Sequence, residues 1–316
     1  VEKITDRAIK GQYYKTLGNY VGPSWLSKIA NFFPSDQASE EYAWLGMAPS
    51  MREWVGGRNL IELPEYSFTI KNAHYEGSMA FKKKDLRRDK TGQIMTRIDQ
   101  LARKTTAHFA SLVSDLLLVG LSEDCYDGQY FFDTDHSEGD SGTQSNDISV
   151  AIASQPAATT GSVTAPSVEE AQWAIIHGIL QICSFKDDQG DPMNEDANKF
   201  GVMCPLTLYP ALQQAVNVPV QSGPSQLALK SIPSEFSISV YPNVRWGTSF
   251  TDEFIVFRAD GNTKPIIVQE ETAPKLEVLG AGSDHAFKED EHLYGVDAWR
   301  SAGYGDWRGA CLVTMV

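Results

Sequence analysis

At 316 residues with 42% apolar side chains, the chain is long enough to bury a substantial globular core. Its 41 acidic against 27 basic side chains give a net charge of −14, which disfavours broad electrostatic capture of nucleic acid and confines any such contact to a local patch. The longest strongly apolar run, Leu116 to Leu121, is far below the roughly 20 residues needed to span a bilayer, and no secretory pattern opens the chain. Cys125, Cys183, Cys204 and Cys311 have no CxxC spacing, so they read as reduced core thiols and argue against a zinc knuckle or disulfide framework.

Residues 1 to about 60 show no sustained periodicity, and a segment of that length without its own core must lie on something else. Within it, Glu40 to Arg58 is dense in Trp, Tyr, Met and Arg yet holds no catalytic set. Trp44, Arg52, Trp54 and Arg58 are residue types enriched where proteins grip one another, which makes this a docking segment.

From Tyr66 to Lys84 the pattern alternates, with Tyr66, Phe68 and Ile70 on one face and Met79 and Phe81 on the return. It predicts a long hairpin with its turn near His74 to Gly77, one that leans on a neighbouring surface because an isolated pair of strands is marginal in water. Gln93 to about Val119 gives the clearest helical signal: Ile94, Ile98, Leu101, His108, Phe109, Leu112, Val113 and Leu116 recur at helical spacing. Gly120 stands where a C-cap is expected.

The Ser, Thr, Gly and Asp-rich stretch from Glu138 to Thr164 reads as a surface loop with some strand around Ile148 to Ile152. Ser167 and Glu170 form a capping box that starts a helix running to about Cys183. After another loop come a buried strand, Phe200 to Leu206, and a short helix near Tyr209 to Val216. Strands follow near Ser237 to Val240, Phe254 to Arg258, Ile266 to Gln269, Leu293 to Ala298 and Ala310 to Met315.

Chemistry-bearing patterns are few. Asp133, Asp135 and His136 could ligate a divalent cation or serve a metal-dependent hydrolase, but the run lacks the further donors at fixed offsets that such sites use, and it reads as a turn. Gly-x-Ser-x-Gly is absent, and His177 lies on an apolar helical face as a packed core histidine. Lys82, Lys83, Lys84, Arg87 and Arg88 form a basic cluster without interleaved aromatics. Pairing with acidic residues of a neighbouring subunit is the preferred reading, with phosphate contact as the alternative.

Three groups of residues then resemble one family. Tyr42-Ala43-Trp44-Leu45-Gly46, Pro49, Arg52-Glu53-Trp54 and Gly57-Arg58 are similar to the opening motif of the major head (capsid) subunits of Mu-like tailed phages and prophages. Tyr126-Asp127-Gly128-Gln129 with Phe131-Phe132-Asp133-Thr134-Asp135-His136 is similar to its central motif. Phe257-Arg258-Ala259-Asp260-Gly261, Pro265, Gln269 and the ending Gly303-Tyr304-Gly305 with Trp307 give a weaker third match. Ser137 departs from the pattern, standing where a proline-containing turn is expected.

The resemblance implies an α+β fold of the Hong Kong 97 type. It divides the chain into an N-terminal arm (1–60), an extended hairpin loop (61–90), a peripheral domain with a spine helix (91–199), an axial domain (200–290) and return strands (291–316). It implies a major capsid protein that self-assembles as hexamers and pentamers into an icosahedral head around double-stranded DNA, with no catalytic residue, cofactor, metal or membrane partner. Portal, scaffold or protease and decoration proteins would be its other partners, and assembly in the bacterial cytoplasm its setting. Trp44, Arg52, Trp54, Arg58, Tyr66, Phe68, Lys82, Lys83, Lys84, Arg87 and Arg88 are the expected contacts between subunits. A tail-tube or decoration subunit is the rival structural reading, disfavoured by the long helix; acidity itself suits a container that should not grip phosphates.

Overall fold

The computed structural model describes residues 5–45, 65–89, 92–155, 161–217 and 236–316. In chain order they form α1 (Asp6–Asn19), α2 (Leu26–Ile29), β1 (Ala30–Pro34), β2 (Ser39–Leu45), β3 (Glu65–Lys71), β4 (Ala73–Lys82), α3 (Lys83–Arg88), α4 (Gln93–Leu118) and β5 (Asp147–Val150). They continue as α5 (Val168–Ser184), β6 (Lys199–Cys204), α6 (Tyr209–Asn217), β7 (Ser237–Pro242), β8 (Glu253–Arg258), β9 (Ile266–Leu279), α7 (Asp284–Lys288), β10 (Glu291–Tyr304) and β11 (Ala310–Met315).

The helix expected after Gly92 is present as α4, 26 residues long and so about 39 Å from end to end. Gly92 precedes it at φ 72°, a conformation that favours glycine. Lacking a side chain there, the helix is capped by the Asp89 carboxylate, which accepts from Gly92 N and Ile94 N at 2.9 and 3.1 Å. Its first half packs Ile94, Ile98 and Ala102 with Ile9, Tyr13, Leu86, Leu276, Tyr294 and Val296. Its second half packs Ala110, Val113 and Leu117 into the larger core. One rigid rod therefore joins two cores. At its end Gly120 is not in the left-handed region expected of a C-cap; a Cβ there would stand 2.7 Å from the Phe132 ring, so close packing explains the glycine.

The smaller core lies under a four-stranded sheet of order β1-β9-β10-β4, with β1 parallel to β9 and the other pairs antiparallel. The larger core is built on a five-stranded sheet of order β5-β11-β8-β6-β7. Across it lies α5, whose Ala171, Ala174, Ile175, Gly178, Ile179 and Ile182 form a buried stripe at helical spacing. A Cβ on Gly178 would come within 2.7 Å of Val256 and 2.9 Å of Val313, so the glycine sets the close approach of helix to sheet. The capping box predicted at Ser167 and Glu170 is formed in both directions.

Two expectations change. The stretch from Tyr66 to Lys84 is not a hairpin: β4 runs straight through His74 to Gly77 and pairs with β10, while β3 pairs with β2. Alternation correctly marked extended chain, but alternation carries no information about the partner strand. An extended antiparallel pair is present instead between Ser39–Leu45 and Glu65–Lys71, in full register from Ser39 opposite Lys71 to Leu45 opposite Glu65. Helix α1, within the stretch without sustained periodicity, packs Ile9 and Tyr13 against α4 and the sheet.

Strand pairing crosses the segment boundaries implied by resemblance. β9, within 200–290, joins β10 in the four-stranded sheet, and the terminal β11 lies between β5 and β8 in the five-stranded one.

Candidate functional site

The β2–β3 pair is a separate two-stranded sheet, and its base is tied to the body by a polar cluster. Gln269, fully buried on β9, donates through Nε2 to the Ile70 carbonyl at 3.0 Å and to Asn72 Oδ1 at 2.8 Å. Its Oε1 accepts from the Tyr42 hydroxyl at 2.9 Å. Asn72 in turn donates through Nδ2 to Ser35 Oγ at 2.9 Å and to the Gln37 carbonyl at 2.8 Å. Burial, then the Glu40 charge, pushes the Tyr42 phenol up to about 12, so it stays a neutral donor at ordinary pH. Below the cluster Ile70 rests on Gly303, where a Cβ would stand 2.4 Å from Ile70 Cδ1. Tyr42 comes from the first and Gln269 and Gly303 from the third of the family-like groups noted in the sequence, and the fold brings them together.

The expected contact residues fall in three places. Arg52, Trp54 and Arg58 lie outside the described residues; the Trp44 and Tyr66 backbones pair across β2 and β3, and their side chains lie outside the described set. Phe68 is half-buried against the larger core of its own subunit. Lys82, Lys84, Arg87 and Arg88 are exposed, whereas Lys83 is taken up within the subunit by the Ala286 carbonyl and by Asp290 at 3.6 Å.

The central motif is a buried scaffold. His136 is fully buried, with Nδ1 2.7 Å from Asp127 Oδ2 and Nε2 3.2 Å from Asn146 Oδ1, and its ring stacks on Trp307 at 4.0 Å. Both ring nitrogens are thus engaged, and Asp135 is exposed. Among the described residues no group of three His, Cys, Asp or Glu could hold a metal ion. Nearby, Arg308 bonds Asp306 at 2.9 Å and Glu138 at 3.3 Å, and Tyr126 donates to Glu138. Burial raises the Glu138 carboxyl, opposed by Arg308. Phe131 stacks on Tyr304 at 4.4 Å, so the central and ending motifs form one packed unit. His177 is half-buried, and its Nδ1 donates to the Trp173 carbonyl of its own helix, 2.8 Å away.

Arg258 reaches Asp260 at 2.9 Å, Asn194 at 3.0 Å and Asp196 at 2.7 Å. Asp260 also accepts from the backbone N–H groups of Asn198 and Lys199 at 3.0 and 3.1 Å. This latch ties the loop before β6 to the end of β8. The four cysteines are free, with Cys125, Cys204 and Cys311 buried; burial alone pushes the Cys204 thiol up to about 12, which suits an inert core position.

This arrangement of two sheets joined by a long helix, with a tethered hairpin, is the α+β Hong Kong 97-type fold of phage capsid proteins. The capsid protein of bacteriophage JBD30 superposes with a TM-score of 0.54 at 17% identity, over 92% of this chain and 65% of that one. The mature capsid protein of bacteriophage PhiM1 gives 0.56 at 10% identity, over 94% and 89%. The virus-like particle of Pyrococcus furiosus gives 0.53 at 11% identity, over 97% and 98%.

Residues 3–159 and 235–314 match the family of the Mu-like prophage major head subunit gpT, and the chain belongs to that family. It is 37% identical over 117 residues to the Mu-like prophage FluMu major head subunit of Haemophilus influenzae, covering 37% of this chain and 38% of that protein. It is 33% identical over 114 residues to the major capsid protein of Escherichia phage Mu, covering 36% and 37%. The aligned stretch thus spans little more than a third of each of these relatives.

Proposed function

We propose that the chain is a major capsid protein whose copies assemble as hexamers and pentamers into the icosahedral head of a tailed phage, around double-stranded DNA. The observation that carries this reading is the tethered hairpin in a chain of the head-subunit family. A two-stranded sheet is marginal alone, yet its base is held by hydrogen bonds from the half-buried Tyr42 and around the buried Gln269 to Ile70 and Asn72. Such anchoring holds the hairpin in place for contact with another copy, and many modest contacts of this kind add up through multivalency.

On this reading the four-stranded sheet with α1, α3 and the first half of α4 is the peripheral domain, and the five-stranded sheet with α5 and α6 is the axial domain. Catalysis has no part in it. Portal, scaffold or protease and decoration proteins belong to the same proposal, as does assembly in the bacterial cytoplasm before the protein becomes part of the virion.

Electron microscopy of the purified protein tests it. Closed icosahedral shells are expected from the intact chain. Replacement of residues 46–64 by an Asn-Gly turn should leave a soluble, folded subunit that no longer closes. Normal shells from that variant would remove the hairpin's role, and uniform monomers from the intact chain would remove the capsid reading.

A further inference from the structure

The net charge of −14 is an average over two strongly segregated regions. Residues 5–20 and 82–104 carry 12 Lys and Arg against four Asp, a net +8 that leaves −22 for the remainder. The described ones among them lie chiefly in α1, α3 and the first half of α4, the helical layer over one face of the four-stranded sheet. Of the eleven cations among the described residues, ten are exposed, among them Lys84, Arg87, Arg88, Arg97, Arg103 and Lys104, and none of those ten is in an ion pair among the described residues.

Three of the four acids are turned to internal work. Asp6 accepts from the Tyr294 hydroxyl at 2.6 Å, Asp89 caps α4, and Asp99 accepts from Gln12 at 2.8 Å and from Thr16. Only Asp85 is exposed. On the opposite face of the same sheet the alternation of the strands presents Glu76, Glu277 and Asp297. The charge is therefore directional across the thickness of this half of the molecule.

We propose that this helical layer is the surface that meets the phosphate backbone of duplex DNA, placing it on the inner wall of the shell; the assignment rests on the capsid reading. Two candidate partners fit a basic face: a polyanion, or an acidic surface on a second copy. Protein interfaces carry apolar and aromatic anchors at their centre. The described residues of α3 and the first half of α4 have no exposed large apolar side chain, and Tyr14 is the one such residue on α1. Unpaired cations without an apolar centre suit duplex DNA, which presents one charge per about 1.7 Å of its axis and is bound by counterion release without base contacts. The cluster at Lys82 to Arg88, expected from sequence to pair with neighbouring acids, is on this view one edge of a larger phosphate-facing surface. A diffuse electrostatic contact of this kind weakens with salt and lets the duplex slide, so it is compatible with loading and release.

The test uses the purified full chain and a fluorescent duplex of about 30 base pairs, titrated between about 50 and 200 mM salt. Binding should fall steeply with salt. The triple variant Arg88→Gln, Arg97→Gln, Lys104→Gln should bind at least tenfold more weakly at the low-salt end, with a log–log slope shallower by roughly 0.9 per lost phosphate contact. The opposite-face variant Lys275→Gln should bind as the unmodified chain does. On DNA-filled particles, an amine reagent coupled to a polymer too large to enter should spare Lys84 and Lys104 and label Lys275.

Duplex binding that the triple variant leaves unchanged would overturn the proposal, as would labelling of Lys84 and Lys104 in intact particles. Loss of shell closure with duplex binding unaltered would assign the face to a second copy instead. Shells that form normally while these outcomes fail would leave the capsid reading standing, which keeps the two apart.

Discussion

The side-chain amide of Gln269 donates to Asn72 Oδ1 across 2.8 Å at the single residue where the extended chain from Glu65 to Lys82 leaves β2 and joins β10. Asn72 also bonds Ser35 and Gln37, so the change of strand partner is fastened to two segments at once. Gln269→Leu keeps the volume but strands the Ile70 carbonyl, the Asn72 oxygen and the Tyr42 hydroxyl. We expect a loss of about 2 to 3 kcal/mol, read by urea unfolding of the subunit, together with shells that close in lower yield. An unchanged urea midpoint would show that the cluster is not a tether.

His136 provides a check on the metal-site reading. Its two nitrogens and its ring face are already occupied by Asp127, Asn146 and Trp307. His136→Ala should cost about 3 kcal/mol or more, since it leaves the buried Asp127 carboxylate without its partner. Asp135→Ala, at an exposed position, should stay within about 0.5 kcal/mol. Millimolar Zn2+ or Mg2+ should leave the melting temperature of the unmodified protein unchanged, and a metal-dependent rise that His136→Ala abolishes would restore the hydrolase alternative.

The pH response of the Arg258 latch has a definite sign. Burial alone would raise the Asp260 carboxyl, but hydrogen bonds from Arg258 and from Asn198 and Lys199 outweigh it and hold the group below its usual range. A carboxylate depressed in the folded state adds stability that is fully present above its unfolded value, near 3.9, and is lost as pH falls through the folded one. The stability gap between the unmodified chain and Asp260→Asn should therefore be constant above about pH 5 and shrink below about pH 4. Denaturant unfolding at a series of pH values measures it, and a gap that widens in acid would contradict the assignment.

Legibility in the sequence followed the range of the interactions. Helix α4 and the capping box at Ser167 depend on neighbours three and four residues away, so spacing alone located them. Helix α1 escaped notice because its buried face is only Ile9 and Tyr13 with Leu17 beside them, diluted by Gly11 and Gly18. Strands β9 and β10 each run for 14 residues, longer than the alternating apolar stretches, because their outer faces carry charge and Gly. The partner of β4 is illegible for a different reason. Pairing of β4 with β10 joins positions more than two hundred residues apart, and nothing local in Tyr66 to Lys84 specifies that choice. Gln269 stood among the family-like residues, yet its contacts with Tyr42 and Asn72 are visible only once three distant segments meet.

Tyr42→Phe and the pair Trp44→Ala, Trp54→Ala separate anchoring from docking. The Tyr42 hydroxyl bonds within the subunit, and its removal leaves Gln269 Oε1 buried without a donor, a cost of about 1 to 2 kcal/mol in subunit unfolding. Trp44 and Trp54, by contrast, are proposed to meet another copy, where aromatic truncation weakens association by about 2 kcal/mol or more per hot spot. The double tryptophan variant should therefore keep its urea midpoint while the protein concentration needed for shell formation rises at least tenfold. Light scattering during assembly, paired with urea melts of the dissociated subunit, distinguishes the two. If the double variant lowers the urea midpoint as much as it impairs assembly, the tryptophans belong to the subunit's own core and the docking role passes to other residues of the hairpin.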